Sequence, residues 1–269
     1  MNDGYLQNLL PNVALYTENN DKIMTNTNEL IFGIRPVIEA LKAGKEIDKL
    51  FLQNSLNGDL IQELKTLVRQ RNIHFQYVPV EKLNRMTTKN HQGVICFISS
   101  ITYYSIEDVL PTIFEAGRVP LLLILDRITD VRNLGAIART VYVSGADALI
   151  IPLRGGAQIN ADAIKTSAGA LHKVQVCREH NLKDTIDFLK ASGVRVIACT
   201  EKARNTYFEE DFTIPTAIIM GSEEDGISPE YIKRSDAAMT IPMVGDLGSL
   251  NVSVAAGIVL YEAIRQRMK

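Results

Sequence analysis

Between residues 120 and 269, short apolar runs alternate with amphipathic stretches, and this pattern predicts a repeating strand–helix chain. Strands are predicted at 121–125, 148–151, 174–177, 194–200, 217–220 and 239–241. Helices are predicted at 134–144, 162–170, 182–191, 229–234 and 252–267. Continuous apolar strands that alternate with helices indicate an α/β fold with a mostly parallel sheet covered on both faces.

A smaller α/β unit is predicted over residues 28–100. Its helices are predicted at 37–43 and 60–71, and its strands at 49–52, 75–78 and 93–98. Residues 101–118 predict a linker with a short helix, so the larger domain spans 119–269. Residues 1–27 are rich in Asn and other polar residues, and we expect a poorly ordered extension there. Met24 is an alternative start, which leaves open whether residues 1–23 belong to the native protein.

The charge of the chain gives little guidance on its partners. The net charge is −2, which is no global sign of nucleic-acid binding. Residues 28–100 carry ten Lys/Arg and seven Asp/Glu, whereas residues 118–269 carry eighteen of each. This small excess of positive charge in residues 28–100 is explained equally well by a solvated surface and by a patch that faces RNA.

The cysteines and the apolar runs favour a cytoplasmic protein. Cys96, Cys177 and Cys199 are odd in number and far apart, which is typical of buried reduced thiols. The four His show no metal-ligand spacing, so no metal is expected. No apolar run approaches the ~20 residues of a membrane span, and residues 1–27 lack the pattern of a signal peptide.

Ligands of parallel α/β sheets bind beyond the carboxyl ends of the strands, so the loops at those ends are informative. After the first strand of the larger region, Asn133 is placed to cap the next helix. Arg139 lies inside that helix among small apolar residues, where a packed cation needs a partner. Thr200 either contacts a ligand through its backbone or only marks the end of a strand.

Two later loops carry glycines beside polar residues. Gly221 permits close backbone approach, and Glu223 lies among three acids that suit a cationic or hydroxyl-bearing ligand. This loop matches neither GxGxxG nor a P-loop. Ser249, Asn251 and Ser253 open the last helix, where backbone N–H groups collect. Capping by Ser249 or Asn251 is the alternative explanation.

Three blocks in order closely resemble the SpoU (TrmH-type) RNA ribose 2′-O-methyltransferases. They are Asn133-Leu-Gly-Ala-Ile-Ala-Arg139, Met220-Gly-Ser-Glu-Glu-Asp-Gly226 and Ser249-Leu-Asn-Val-Ser-Val, the last preceded by Ile241-Pro-Met. The resemblance is strong over residues 120–269. Residues 30–100, with Phe32-Gly-Ile-Arg-Pro near their start, look like the small L30e-like substrate-binding domain of many members.

The resemblance implies a SPOUT-type fold with a C-terminal trefoil knot, a rare exception among folds. It also implies bound S-adenosylmethionine, an RNA substrate and a homodimer. Cofactor contacts would come from Thr200, Gly221, Ile241, Leu250 and Asn251. Catalytic residues would be Arg139, Asn133, Glu223, Ser249 and Asn251. The chain departs from the family pattern at Val131, where Pro is frequent, and at Glu224, where Gly is frequent.

The implied chemistry is methyl transfer to a ribose 2′-hydroxyl, which must lose its proton as the new bond forms. Arg139 would stabilise the developing alkoxide or, more boldly, accept the proton. Glu223 would pair with Arg139 or contact the substrate. The two-domain layout favours a guanosine of large-subunit (23S) ribosomal RNA, with transfer RNA as the alternative. A non-catalytic RNA-binding protein and a nucleotide-dependent oxidoreductase are the rival functions.

Overall fold

The computed structural model describes residues 30–71, 73–246 and 248–268. The expected extension over residues 1–27 and the alternative start at Met24 lie outside the described residues. Among the described ranges, no helix combines the length and hydropathy that a bilayer crossing needs.

The smaller unit is a four-stranded mixed sheet in the order β1-β4-β2-β3. Its strands are β1 (Leu30–Phe32), β2 (Ile47–Gln53), β3 (Phe75–Val78) and β4 (Val94–Ile98). Its helices are α1 (Ile34–Lys42), α2 (Asp59–Gln70) and α3 (Val80–Met86). The apolar faces of α1 and α2 share one core with β2 and β4, whereas Leu83 of α3 packs in a separate cluster with Phe51 and Ile95.

The larger unit is an eight-stranded sheet in the order β10-β12-β9-β11-β6-β7-β8-β5. Its strands are β5 (Tyr103–Tyr104), β6 (Leu121–Asp126), β7 (Ala148–Pro152), β8 (Gln175–Glu179), β9 (Arg195–Cys199), β10 (Asn205–Thr206), β11 (Thr216–Gly221) and β12 (Ala237–Thr240). Every neighbouring pair is parallel, which confirms the predicted sheet.

Helices cover both faces of this sheet. They are α4 (Ile106–Glu115), α5 (Val131–Ser144), α6 (Ala161–Thr166), α7 (Leu182–Ala191), α8 (Pro229–Arg234) and α9 (Val252–Arg267). Along β6, Leu121, Leu123 and Leu125 join a core with α5 and α9, whereas Leu122 and Ile124 join a second core with α4 and α7. This alternation explains why the strands are apolar throughout, because each strand is buried on both sides.

Two predicted segments differ in the structure. The segment predicted as a linker, 101–118, contributes β5, which pairs with β8, and α4, which packs in a buried core. The helix predicted at 162–170 ends at Thr166. Ala168 (φ 51°) and Gly169 (φ 80°) adopt left-handed backbone and stop it, and a short 3₁₀ turn follows at Ala170–His172.

The cysteines are free. Cys96 and Cys177 are buried and Cys199 is half-buried. Burial raises the pKa of each thiol to about 12, so the thiolate form is disfavoured. These thiols pack as small apolar side chains, as their apolar strand context predicts.

Candidate active site

A cleft of about 340 Å³ opens at the carboxyl ends of β9, β11 and β12, beside the start of α9. Its lining contains four residues predicted to contact a cofactor, namely Thr200, Gly221, Ile241 and Leu250. Glu223 and Ser249, predicted as reactive, also line it. Sequence positions far apart along the chain therefore converge where parallel sheets bind ligands.

A tight turn after β11 forms one wall of the cleft. Ser222 and Gly226 exchange two backbone hydrogen bonds of 2.9 and 3.2 Å, and Gly226 has a φ of 68°. A Cβ atom added to Gly221 would lie 2.2 Å from the carbonyl carbon of Gly226. Gly221 is therefore required by the close approach of its own loop.

Asn133, Glu223 and Asn251 form a hydrogen-bonded triangle at the edge of this cleft. The Nδ2 of Asn133 donates to Oε1 of Glu223 over 2.8 Å. The Nδ2 of Asn251 donates to the same carboxylate oxygen over 2.9 Å and to Oδ1 of Asn133 over 3.0 Å. Two amide donors thus fix one carboxylate oxygen, and Oε2 of Glu223 accepts no hydrogen bond from a described residue.

The N-terminal caps of α5 and α9 are Asp130 and Asn251. Asp130 caps α5, because its carboxylate accepts from the backbone N–H groups of Arg132 and Asn133. The prediction that Asn133 is the cap was wrong, and its side chain is left to the triangle. Asn251 does cap α9: its Oδ1 accepts from the backbone of Ser253 over 2.9 Å and of Val254 over 3.4 Å.

A group of charged side chains that supports the turn was not predicted from the sequence. Asp126, at the end of β6, is 1% exposed and accepts a 2.6 Å hydrogen bond from the backbone of Ser228. Arg127 bonds to Asp126 over 3.1 Å and to Asp225 over 2.9 Å. Hydrogen bonding to Asp126 raises the pKa of Arg127. The available sign in the sequence was an Asp-Arg pair at the end of a buried strand.

Two predicted reactive residues stand apart from the triangle. Arg139 is exposed on α5 and makes no ion pair or hydrogen bond to a described residue. Its predicted packing among apolar neighbours was therefore wrong for the single chain, and Glu223 contacts the two asparagines instead of Arg139. Ser249 lines the cleft without a hydrogen bond to a described side chain. Thr200 is 7% exposed and donates to Glu201 over 3.2 Å.

Comparison with known proteins identifies the family. The SpoU rRNA methylase family model matches residues 120–261, and a model described as RNA 2′-O ribose methyltransferase substrate binding matches residues 30–104. The putative TrmH family tRNA/rRNA methyltransferase YacO of Bacillus subtilis is 34% identical over 91% of this chain and 98% of its own. The chain belongs to the SpoU methylase family.

Solved SpoU structures share the fold. The AdoMet-bound rRNA methyltransferase of Sinorhizobium meliloti has a TM-score of 0.56 and 26% identity, covering 88% of this chain and 86% of its own. The TrmH/SpoU tRNA modifying enzyme of A. aeolicus has a TM-score of 0.52 and 32% identity, covering 60% of this chain and 84% of its own.

The departures from the SpoU pattern are accommodated locally. Val131 is the first residue of α5, a position where proline is also well tolerated, so the substitution leaves the helix start intact. Glu224 lies in the turn that Ser222 and Gly226 close, and its side chain is exposed. In the described part of the chain, no three His, Cys, Asp or Glu side chains gather closely enough to hold a metal ion.

Proposed function

We propose that this SpoU protein catalyses S-adenosylmethionine-dependent methylation of a ribose 2′-hydroxyl in RNA. The observation that carries the proposal is the triangle of Asn133, Glu223 and Asn251. It stands at the edge of a cleft that contains four of the predicted cofactor residues. A non-catalytic RNA-binding protein has no need for three polar side chains held this way.

The cleft fits the cofactor. Its volume of about 340 Å³ lies within the range of small-molecule sites. Met243 and Leu250 offer partly exposed apolar surface, and Glu201 and Glu224 offer carboxylates for a sulfonium or sugar hydroxyls. When bound, S-adenosylmethionine supplies an electrophilic methyl group. We also propose that the segment before α9 forms part of a trefoil knot around this cleft, as the family resemblance implies.

The triangle would orient the ribose. Because Oε1 of Glu223 is held by two amide donors, Oε2 is presented in a fixed direction. We propose that Oε2 accepts a hydrogen bond from the attacking hydroxyl and aligns its lone pair. A hydroxyl held in this way reacts without the entropy cost of finding its orientation, which is a large part of a displacement barrier. Ser249, which also lines the cleft, would hold the substrate.

Arg139 would act in a homodimer. Tyr142, Val143, Val254 and Tyr261, on α5 and α9, are 43–58% exposed, although both helices belong to the main core. A second copy would cover this apolar surface. We propose that dimerisation brings Arg139 to the reacting ribose. There it would stabilise the developing alkoxide, since arginine normally stays protonated.

We propose a guanosine of large-subunit ribosomal RNA in the cytoplasm as the target. The S. meliloti enzyme named as an rRNA methyltransferase matches both units of this chain, whereas the tRNA modifying enzyme of A. aeolicus covers only 60% of it. Transfer RNA is the alternative target, because the curated relatives are named for both RNAs.

Tritiated methyl transfer onto unmodified ribosomal and transfer RNA, followed by mapping of ribose methylation, tests this proposal. We expect label on a ribose of ribosomal RNA and calorimetric binding of S-adenosylhomocysteine but not of NAD. Label on transfer RNA would change the target. RNA binding without transfer to either RNA would favour the non-catalytic rival, and binding of NAD would favour an oxidoreductase.

A further inference from the structure

A second cleft, also about 340 Å³, lies where the smaller unit meets the edge of the larger sheet. The smaller unit contributes residues 45–48, from the loop before β2 and the start of that strand, and Arg71 and His74, from the segment before β3. The larger unit contributes Arg178 and His180, at the carboxyl end of β8. The cleft is separate from the candidate active site and shares no lining residue with it.

A largely buried ion pair, between side chains that are 17% (Arg178) and 8% (Asp48) exposed, forms the back wall of this junction cleft. Arg178 bonds to the carboxylate of Asp48 over 3.0 Å and to the Ile47 carbonyl over 3.1 Å, and its guanidinium lies 3.7 Å from the ring centroid of Tyr103. Asp48 keeps one buried oxygen without a hydrogen bond. Burial raises the pKa of Asp48, and Arg178 opposes this shift. Arg178 is therefore already neutralised within the protein.

The rim of the junction cleft carries cations without such partners. Arg71 and Arg154 are exposed and make no ion pair with a described residue. Arg154 lies beside the cleft, where its guanidinium contacts the ring of the lining residue His74. Burial lowers the pKa of His74, and the nearby positive charges of Arg154 and His180 lower it further. Lys45 and Glu46 add one charge of each sign. Crowded cations attract an anion.

The rim lies on the same edge of the larger sheet as the active site. Leu153 and His180 directly follow the carboxyl ends of β7 and β8. Three strand spacings separate β8 from β11, which ends at Gly221. At roughly 4.8 Å per spacing this is about 14 Å. One extended polynucleotide can therefore reach both places.

We propose that the junction cleft binds the phosphate backbone of the substrate RNA, at nucleotides that flank the methylated one. This inference rests on the proposed function and adds a binding site to it. Contacts to phosphate from Arg71 and Arg154 would set the position of the RNA on the protein without reading its sequence.

Fluorescence anisotropy of a labelled single-stranded oligouridylate, measured over a series of salt concentrations, tests this proposal. The test variant is R71Q/R154Q. The matched control is R69Q/R85Q, which removes two exposed arginines whose side chains neither line the cleft nor hydrogen-bond to a described residue that does. The plot of log K against log salt has a negative slope, and each lost phosphate contact reduces the steepness of this slope by about 0.7 for a single strand. We expect R71Q/R154Q to make the slope less steep by about 1.4 and the control to leave it unchanged.

Equal slopes for the wild type and R71Q/R154Q would overturn the proposal, as would an equal decrease in the control. Failure of the wild type to bind the oligonucleotide would also overturn it. Binding of S-adenosylhomocysteine checks that each variant is folded. Methyl transfer by the wild-type protein tests the proposed function separately. If the enzyme is active but the slopes are unchanged, only the proposed role of the junction cleft is refuted.

Discussion

Replacing Asn251 by Asp separates helix capping from the chemistry of the triangle. Asp is as good an N-cap as Asn, so the bonds to the backbone of Ser253 and Val254 are kept. However, the Nδ2 group of Asn251, which donates to Glu223 over 2.9 Å, is replaced by an oxygen of a negatively charged carboxylate. Two unit charges at this distance repel by about 1.4 kcal/mol even with the dielectric constant of water. Because Glu223 is exposed, this screened value is the appropriate one.

Because both side chains are exposed, we expect them to move apart and relieve the repulsion, which leaves the thermal midpoint close to wild type. Holding the Glu223 carboxylate in its reactive position then costs about 1.4 kcal/mol, so kcat/KM for methyl transfer should fall about tenfold or more. Asn251→Ala is the comparison variant, because it removes the cap and costs about 1 kcal/mol of stability. Thermal unfolding and tritiated methyl transfer are measured on both. Transfer by Asn251→Asp within threefold of wild type would refute the orienting role. If each variant loses methyl transfer only in proportion to its loss of stability, Asn251 acts only as a helix cap.

Three further variants address other parts of the molecule. Arg139→Ala should abolish transfer yet keep S-adenosylhomocysteine affinity in calorimetry; near-normal turnover would remove Arg139 from the mechanism. Gly221→Ala should abolish that binding, since its Cβ would collide with Gly226; an unchanged affinity would contradict the clash. Arg178→Met should lower the free energy of unfolding in urea by about 3 kcal/mol, because the Asp48 carboxylate loses its partner. Burial raises the pKa of Asp48 and Arg178 lowers it, so without Arg178 the carboxyl group of the folded variant takes up a proton at a higher pH than in the wild type. This deficit should therefore shrink as pH falls toward the ordinary carboxyl value of 3.8; a deficit independent of pH would refute the assignment.

The strands of the larger sheet could be predicted because each is buried on both faces and therefore continuously apolar. Their order could not, since the central position of β9 between β11 and β12 depends on contacts between distant segments. The short β5 was not predicted either, because a run of two tyrosines is too short to show the alternation that indicates a strand.

The candidate site was predictable as a set of residues and less so as a geometry. Motif blocks placed Asn133, Glu223 and Asn251 at loop ends, and the structure brings them together. The cap on α5 was assigned to the wrong residue, because Asp130, three positions earlier, competes for the same role. The exposure of Arg139 was missed because both faces of α5 carry apolar residues, some of them at the surface.

The triangle joins residues that are 28, 90 and 118 positions apart in the chain. Such contacts form late in folding, because distant segments must close large loops before they gain stabilising interactions. A refolding molecule that has formed the sheet from β5 to β12 but has not docked α9 has its strands in place and none of its proposed chemistry. Methyl-transfer activity should therefore return after the far-ultraviolet dichroism signal, and active enzyme would report complete assembly of the chain.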